Sequence, residues 1–476
     1  MISKTKNGIF WRSLESISVQ GMQFLIQLVI ARLLFPEDFG VVAILNVFVN
    51  FANTLVNNGL SSAILQKKAP ENLDFSTVFY VENGIAILTY IVIFFASPYI
   101  AEFYGNIALI VYLRIFAITI IISSLGAMQN IFMVSKMEFK PSFIANFTAI
   151  ICQGFVGVIA AYTGFGVWSL IISQIVFCTV RSVLLFFYAR FIPSLVFSFT
   201  RLKELFGFSW KLTVGWIVGT LYHDLFSLII GKVYNEKMLG YYSRGNTIPF
   251  VVNRVITQVT SSVMFPAIAK NQDDSEVVKS QTRNMLALSA ALMFPIMAVI
   301  AGISSSLVYI VLTEKWMPVV PIIQIFCIPA ALSVISNANM QTFNALGRSD
   351  VFLRLEMIKR TITILLVLIL SKIDFTLMLC GIAMMSLVDV CINCHFNIKL
   401  VGYGIKEQMA DLVPTTIWSI LLFVVVYALN FVIDDYYIRL LIQLSVAGVL
   451  YFVLLFSGVS LHFKKLRETL LSFIKR

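Results

Sequence analysis

The sequence is 476 residues long, 59% hydrophobic and only 12% charged, with a formal net charge of +11. That composition, with charges gathered between apolar stretches of roughly 20 residues, excludes an ordinary soluble domain and fits a polytopic membrane protein. The positive excess fits either nucleic acid or an anionic membrane surface, and its distribution over alternate loops assigns it to the membrane.

Apolar runs set against polar breaks predict fourteen spanning helices, at about 9–34, 38–63, 74–100, 107–133, 141–163, 165–190, 205–232, 238–268, 278–307, 318–346, 350–371, 375–400, 408–432 and 436–458. The first is too long and too polar-striped for a signal peptide, so it is expected to be retained as a span. Six cysteines lie mostly inside apolar runs and imply no disulfide framework. With these spans, alternate connections and the helix ends beside them hold 25 of the 35 Lys and Arg residues on one side and seven on the other, with Arg181, Arg244 and Arg254 deeper inside helices. The positive-inside rule then places both termini in the cytoplasm. The clusters Lys67-Lys68, Arg201 to Lys211, Arg348 to Arg360 and Lys464 to Arg467 read as topology signals beside anionic headgroups. The C-terminal "LHFKKLRETLLSFIKR" (461–476) reads as a basic amphipathic helix on the inner surface.

An internal repeat runs through this pattern. A 200-residue shift carries "LLFPEDFG" (33–40) onto "VYNEKMLG" (233–240), Ile30 onto Ile230, Arg32 onto Lys232 and Asn46 onto Asn246. After a slip of about ten residues, "LRIFAI" (113–118) aligns with "IQIFCI" (323–328). If helices 1 to 6 repeat as 7 to 12, the even number keeps both halves in one orientation, related by a pseudo-two-fold along the membrane normal. The expected organisation is an N-terminal lobe (1–200), a C-terminal lobe (201–402), two extra helices (403–460) and the tail (461–476).

Polar side chains within spans must face one another or a water-filled cavity. On helix 1, Arg12, Ser16, Gln20, Gln23 and Gln27 form one stripe; on helix 2, Asn46, Asn50, Asn53 and Asn57 do the same. Helix 8 repeats the register as Asn246, Asn253 and Thr257, with Arg254 beside them. One amide alone is interhelical glue of about 1 kcal/mol, whereas matched stripes in both halves point to a cavity. Arginine at mid-membrane costs about 2.5 to 3.5 kcal/mol, which makes Arg254 the leading functional charge. Arg244, Arg181, Glu82, Asp224 and Asp389 lie nearer helix ends, where snorkelling or mutual pairing competes. Pro249, Pro266, Pro295 and Pro329 are expected to interrupt their helices.

Other signals carry no chemistry. "CINCH" (391–395) has the C-x-x-C-H spacing of haem attachment but sits near a helix end without a fourth ligand. "GFG" (164–166) is a turn between helices, with no strand before it to form a nucleotide loop. His223 and His462 have no nucleophile at an interpretable spacing, so no enzyme, metal or cofactor is expected.

The stretches "ARLLFPEDFG" (31–40), "LDFSTVFYVENG" (73–84), "GFGVWSL" (164–170), "LGYYSRGN" (239–246), "MFPAIAK" (264–270), "EKWMPVVP" (314–321) and "LGRSDVFLRLE" (346–356) occur in one order along the chain. In them the chain resembles Wzx-type polysaccharide flippases of the multidrug/oligosaccharidyl-lipid/polysaccharide transporter superfamily, most of all the branch exporting colanic-acid or teichuronic-acid type polysaccharides. The resemblance implies an all-α protein of fourteen helices in the bacterial inner membrane, its two six-helix lobes opening alternately around a central cationic cavity. The implied cargo is an undecaprenyl-pyrophosphate-linked oligosaccharide, with polysaccharide polymerase and export machinery as further partners. A repeat unit carries about ten or more hydroxyls, each costing roughly 2 kcal/mol or more to strip of water, so a hydrophilic groove is needed. Within that picture Gln20, Gln23, Gln27, Asn46, Asn50, Asn53, Asn246 and Asn253 hydrogen-bond sugars, while Arg254, Arg244, Arg12 and Arg181 balance the pyrophosphate. Where the family pattern has a carboxylate this chain has Phe226, with Asp224 beside His223 instead. Asp224 and Glu82 are thus the candidate ion-coupling groups.

Three alternatives make distinct demands. A drug or cation antiporter of the same superfamily calls for a cavity dominated by acids. A membrane glycosyltransferase or polymerase needs a large catalytic outer loop, and the longest outward connection here is about ten residues. A structural scaffold does not need matched polar stripes.

Overall fold

The computed structural model describes residues 2–57, 59–67 and 70–457. The expected tail at 461–476, Lys68 and the side chain of Arg12 lie outside the described residues. Every regular element among the described residues is helical. In chain order these are α1 (Ile2–Leu33), α2 (Pro36–Asn57), α3 (Gly59–Gln66), α4 (Asn72–Tyr104), α5 (Leu109–Phe116), α6 (Ile118–Ser135), α7 (Phe139–Tyr162) and α8 (Val167–Ala189). Then follow α9 (Phe199–Val233), α10 (Glu236–Lys270), α11 (Ser275–Leu312), α12 (Val319–Ala345), α13 (Ser349–Leu370), α14 (Phe375–Val401), α15 (Ile405–Ala428) and α16 (Tyr436–Ser457).

Among the described residues, eleven segments are long and apolar enough to cross a membrane. They match eleven of the fourteen expected spans. The other three expected spans fall on α1, α10 and α13, which are 32, 35 and 22 residues long and carry more polar or charged side chains. The α7–α8 turn is "GFG", where Gly164 (φ 85°) and Gly166 (φ 53°) supply the left-handed backbone that only glycine adopts freely. The prolines do not end their helices: α10 runs through Pro249, α11 through Pro295 and α12 through Pro329. Each removes one backbone hydrogen bond inside a continuous helix.

The chain divides into two compact units, Met1–Gly240 and Tyr241–Arg476. In the first, α7 packs on α1 and α8, α6 on α8 and α4, and α9 on α2, α3 and α4. Packing therefore places α9 with the N-terminal helices, past the repeat boundary near residue 200. One apolar core forms around Leu45, Leu113, Phe116 and Ile171. A second holds Phe75, Met128 and Phe191, with Phe132 stacked on Phe191 at 4.7 Å. In the second unit, α11 packs against α12, α15 and α16, and α14 against α12 and α13. The two C-terminal helices dock on α11 through Leu422, Val426 and Ala447 around Ile303.

Candidate functional site

Two hairpins organise the polar helices of the first unit. Pro36 opens α2 with a preset φ and no N–H to lose, and Asp38 reaches back to accept from the Phe35 N–H at 2.9 Å. In the second hairpin the cap runs the other way, Asn235 accepting from the Met238 N–H at 2.8 Å. Positions 35 and 235, and 38 and 238, correspond under the 200-residue shift. Both copies close the same capping ring with the side chain moved from one end to the other. The hairpins also meet. A Cβ on Gly40 would overlap the Glu236 carbonyl, one on Gly240 would overlap that of Pro36, and Glu37 pairs with Lys237 at 3.2 Å.

Below this clasp, α2 and α9 enclose a polar cavity of about 590 Å³. The α2 asparagines expected from spacing supply one wall: Asn50, Asn53 and Asn57, with Thr54 between them. Helix α9 supplies the other through Trp216, Thr220, His223 and Asp224, Gly219 leaving room between them. Asn50 donates to Asp224 at 3.4 Å, the Thr54 and Thr220 hydroxyls are 3.0 Å apart, and His223 Nδ1 lies 3.1 Å from Asp224 Oδ1. The Oδ1 atoms of Asn53 and Asn57 are buried with no hydrogen-bond partner. Asn50 lies about 21 Å along α2 from Pro36, deep within a bilayer-spanning length. Asn46, one turn nearer the hairpin, is exposed. The cavity thus offers amides, hydroxyls, one carboxylate, one imidazole and one indole face. Among the described residues, no lysine or arginine lines it.

The other expected residues are used differently. On α1, Gln20 and Gln27 are half-buried and Gln23 is exposed. Arg181 does not join the α2–α9 cavity: its Nε donates to Asn146 at 2.8 Å, and Asn146 donates to buried Glu15 at 2.6 Å. Glu15 escaped the sequence reading, although Ser142 and Asn146, one turn apart on α7, signal a polar partner. Glu82 is fully buried in α4 and accepts from Ser61 at 2.7 Å, while its Oε2 has no partner. Asp74, in the "LDFSTVFYVENG" stretch, is buried against Lys67 at 2.9 Å, and Arg201 pairs with Glu71 at 3.1 Å, so two basic clusters are tied to acids.

In the second unit, the α10 stripe meets α12. Asn253 donates to the Ala330 carbonyl at 2.9 Å and to Ser333, Asn337 donates to Thr257 at 3.5 Å, and Gln341 donates to Ser261 at 3.2 Å. The constant 80-residue offset makes this a ladder between parallel helices. Asn253, a sugar ligand in what the family resemblance implies, is buried in that ladder. Asn246 is half-buried with an unpartnered Oδ1, Arg244 is half-buried, and Arg254 is exposed beside the ladder. "CINCH" is divided: Cys394 is buried and donates to Gln408 at 3.1 Å, whereas Cys391 and His395 are exposed. Gln408 and Asn339 exchange amide hydrogen bonds at 2.9 and 3.0 Å. On α13, buried Lys359 pairs with Glu356 and donates to Asn393, and the Oδ1 of Asp389 on α14 has no partner.

A family profile described as polysaccharide biosynthesis protein matches residues 29–321. The chain is 23% identical over 437 residues to the lipopolysaccharide biosynthesis protein WzxC of Escherichia coli (strain K12), covering 90% of this chain and 88% of that one. It is 25% identical over 303 residues to the teichuronic acid biosynthesis protein TuaB of Bacillus subtilis (strain 168), covering 63% and 62%. To the succinoglycan biosynthesis transport protein ExoT of Rhizobium meliloti (strain 1021) it is 25% identical over 313 residues, covering 66% and 63%. Among solved structures, the lipid II flippase MurJ in an inward closed conformation superposes with a TM-score of 0.74 at 16% identity, over 92% of this chain and 97% of that one. An inward-facing multidrug resistance MATE family transporter of the MOP superfamily gives 0.64 at 14%, over 83% and 98%. At such identities these likenesses show a shared fold.

Proposed function

Since the chain belongs to the polysaccharide biosynthesis protein family, we propose that it is a membrane flippase that carries lipid-linked oligosaccharide repeat units from the inner to the outer leaflet for surface polysaccharide assembly. The cargo in this reading is an undecaprenyl-pyrophosphate-linked oligosaccharide in the cytoplasmic membrane, with both chain termini on the cytoplasmic side. The relatives WzxC, TuaB and ExoT, all named for polysaccharide biosynthesis or its transport, support it.

The observation that carries the reading is the cavity between α2 and α9. It presents hydrogen-bonding amides and hydroxyls deep within spanning helices, including two amide oxygens with nothing bound to them. Such groups replace the water that sugar hydroxyls lose on leaving the aqueous phase. The indole of Trp216 adds a flat apolar face against which a sugar ring packs. The pyrophosphate is assigned to Arg254 and Arg244. Asp224 serves as the coupling carboxylate, with Glu82 as a second candidate. Lobes following the sequence repeat, 1–200 and 201–402, with α9 packed on the N-terminal helices, and helices at 403–460 after them complete the alternating-access scheme.

A single observation favours a cation antiporter: among the described residues, the α2–α9 cavity holds the carboxylate of Asp224 and no lysine or arginine. The likeness to MATE transporters extends to fold alone, whereas relatedness in sequence leads to polysaccharide proteins. Reconstituted vesicles separate the two readings. A flippase moves fluorescent lipid-linked oligosaccharide between leaflets without a drug substrate; an antiporter exchanges an organic cation and leaves the lipid in place.

A further inference from the structure

Pro295 lies inside α11 and has no N–H to offer the Ala291 carbonyl, the acceptor one turn earlier. One main-chain bond is thereby missing from a membrane-length span that stays helical on both sides. A helix bends most easily at such a point. The freed carbonyl is met from another helix: the Tyr451 hydroxyl of α16 donates to it at 3.4 Å. Around this contact Ala291 and Leu454 are buried, and Trp418 of α15 packs against them.

The same two helices hold α11 beyond the break. Gly302, seven residues after Pro295, lies so close to α15 that a Cβ on it would meet Val426 at 2.8 Å. Its carbonyl accepts from Asn430, in the connection between α15 and α16, at 3.3 Å and from Gln443 of α16 at 3.4 Å. Ala291 and Gly302 are about 16 Å apart along the helix axis, with Pro295 between them. Two contacts on one rigid helix, Gln443 and Tyr451 of α16, therefore straddle the weak point of another.

The two ends differ in strength. Gln443 is fully buried and also donates to the Val426 carbonyl at 3.0 Å and to Asn430 at 3.2 Å. Asn430 in turn accepts from Ser305 of α11 at 2.9 Å and from Arg439 at 3.4 Å. Opening that end breaks a dry, mutually supporting network. Tyr451 is half-buried, and its bond to Ala291 is long. Opening that end exchanges one hydrogen bond and leaves the network at Gly302 intact.

We propose that α15 and α16, the helices outside the sequence repeat, act as a latch across the Pro295 break of α11, fixed at Gly302 and releasable at Ala291. With the Tyr451 bond made, α11 is held in the conformation seen here; with it broken, the turn around Pro295 flexes while Gly302 stays anchored. The latch does not depend on the identity of the transported cargo.

Hydrogen–deuterium exchange of the purified full chain in detergent tests it, read in peptides covering 291–299. Y451F removes the hydroxyl and keeps the ring. Exchange there is expected to rise about two- to tenfold, the worth of one net hydrogen bond, while α12 keeps its rate. Tyr437, exposed on the same helix, supplies the control Y437F, which should change neither rate. P295A restores the missing N–H and returns a main-chain partner to Ala291, so in that background Y451F should add nothing. A tyrosine that merely packs would act in both backgrounds. Should P295A not fold, Y451F against Y437F decides. Wild-type exchange at 291–299 in Y451F, a rise spread equally over α12, or an undiminished effect in the P295A background overturns the proposal.

Discussion

Gly40 lies so close beneath the Glu236 carbonyl that no side chain fits between them. The relation is reciprocal: Gly240 lies beneath the Pro36 carbonyl, and each pair is the other shifted by 200 residues. Glu37 and Lys237, themselves equivalent positions, pair across the same contact. The two copies of the hairpin therefore meet about a local two-fold, and the repeated punctuation in the sequence marks where the backbones touch.

Gly40→Val forces those backbones apart. It is expected to destabilise the protein by about 1 to 3 kcal/mol, the usual cost of overpacking, and to abolish transport. Gly84→Ala is the matched control, since nothing lies within 4 Å of a Cβ there. Thermal unfolding and surface polysaccharide levels together check the pair. Wild-type values for Gly40→Val would show that the clasp tolerates separation.

Asp224→Asn keeps the shape of the contact with Asn50 and removes the charge. The expected outcome is at least a tenfold loss in flipping rate, about 1.4 kcal/mol, with unchanged protein level in the membrane. The readout is the amount of lipid-linked repeat unit left on the inner leaflet. An unchanged amount excludes Asp224 from coupling.

Arg181→Met removes a cation from the network around buried Glu15. Breaking a buried charge network from one side costs about 3 to 5 kcal/mol. The double variant Glu15→Gln/Arg181→Met should recover most of that loss. If Arg181 instead serves the cargo alone, the single variant unfolds like the wild type and the double gains nothing.

Asn253 and Arg254 are adjacent in sequence and differently placed, the first buried against α12 and the second exposed. Asn253→Leu breaks a rung of the α10–α12 ladder and should cost about 1 kcal/mol of stability. Arg254→Ala should leave the unfolding midpoint unchanged and stop transport. Comparing the two variants by midpoint and by surface polysaccharide distinguishes glue from function.

Much of this was legible beforehand because lipid imposes simple constraints. Runs of about 20 apolar residues fix the helices, and glycine, proline and acids fix the hairpins. Spacing also placed Asn50 and Asn53 on one face, and that face lines the α2–α9 cavity. Periodicity tells which way a side chain points along its own helix, but not what lies opposite. Asn253 carried the same signature as Asn50 and faces α12 instead. Arg181 lacked a visible partner because Asn146 and Glu15 come from helices distant in sequence. The assignment of α9 to the first unit was hidden for the same reason, since repeats record ancestry and packing records neighbours.

The most direct test of the central claim is to delete the gene in its own host and measure where lipid-linked repeat units reside. The account predicts that they accumulate on the inner leaflet, that surface polysaccharide is lost, and that the wild-type chain restores both while Arg254→Ala does not. An unchanged leaflet distribution in the deletion strain, or full restoration by Arg254→Ala, would contradict it.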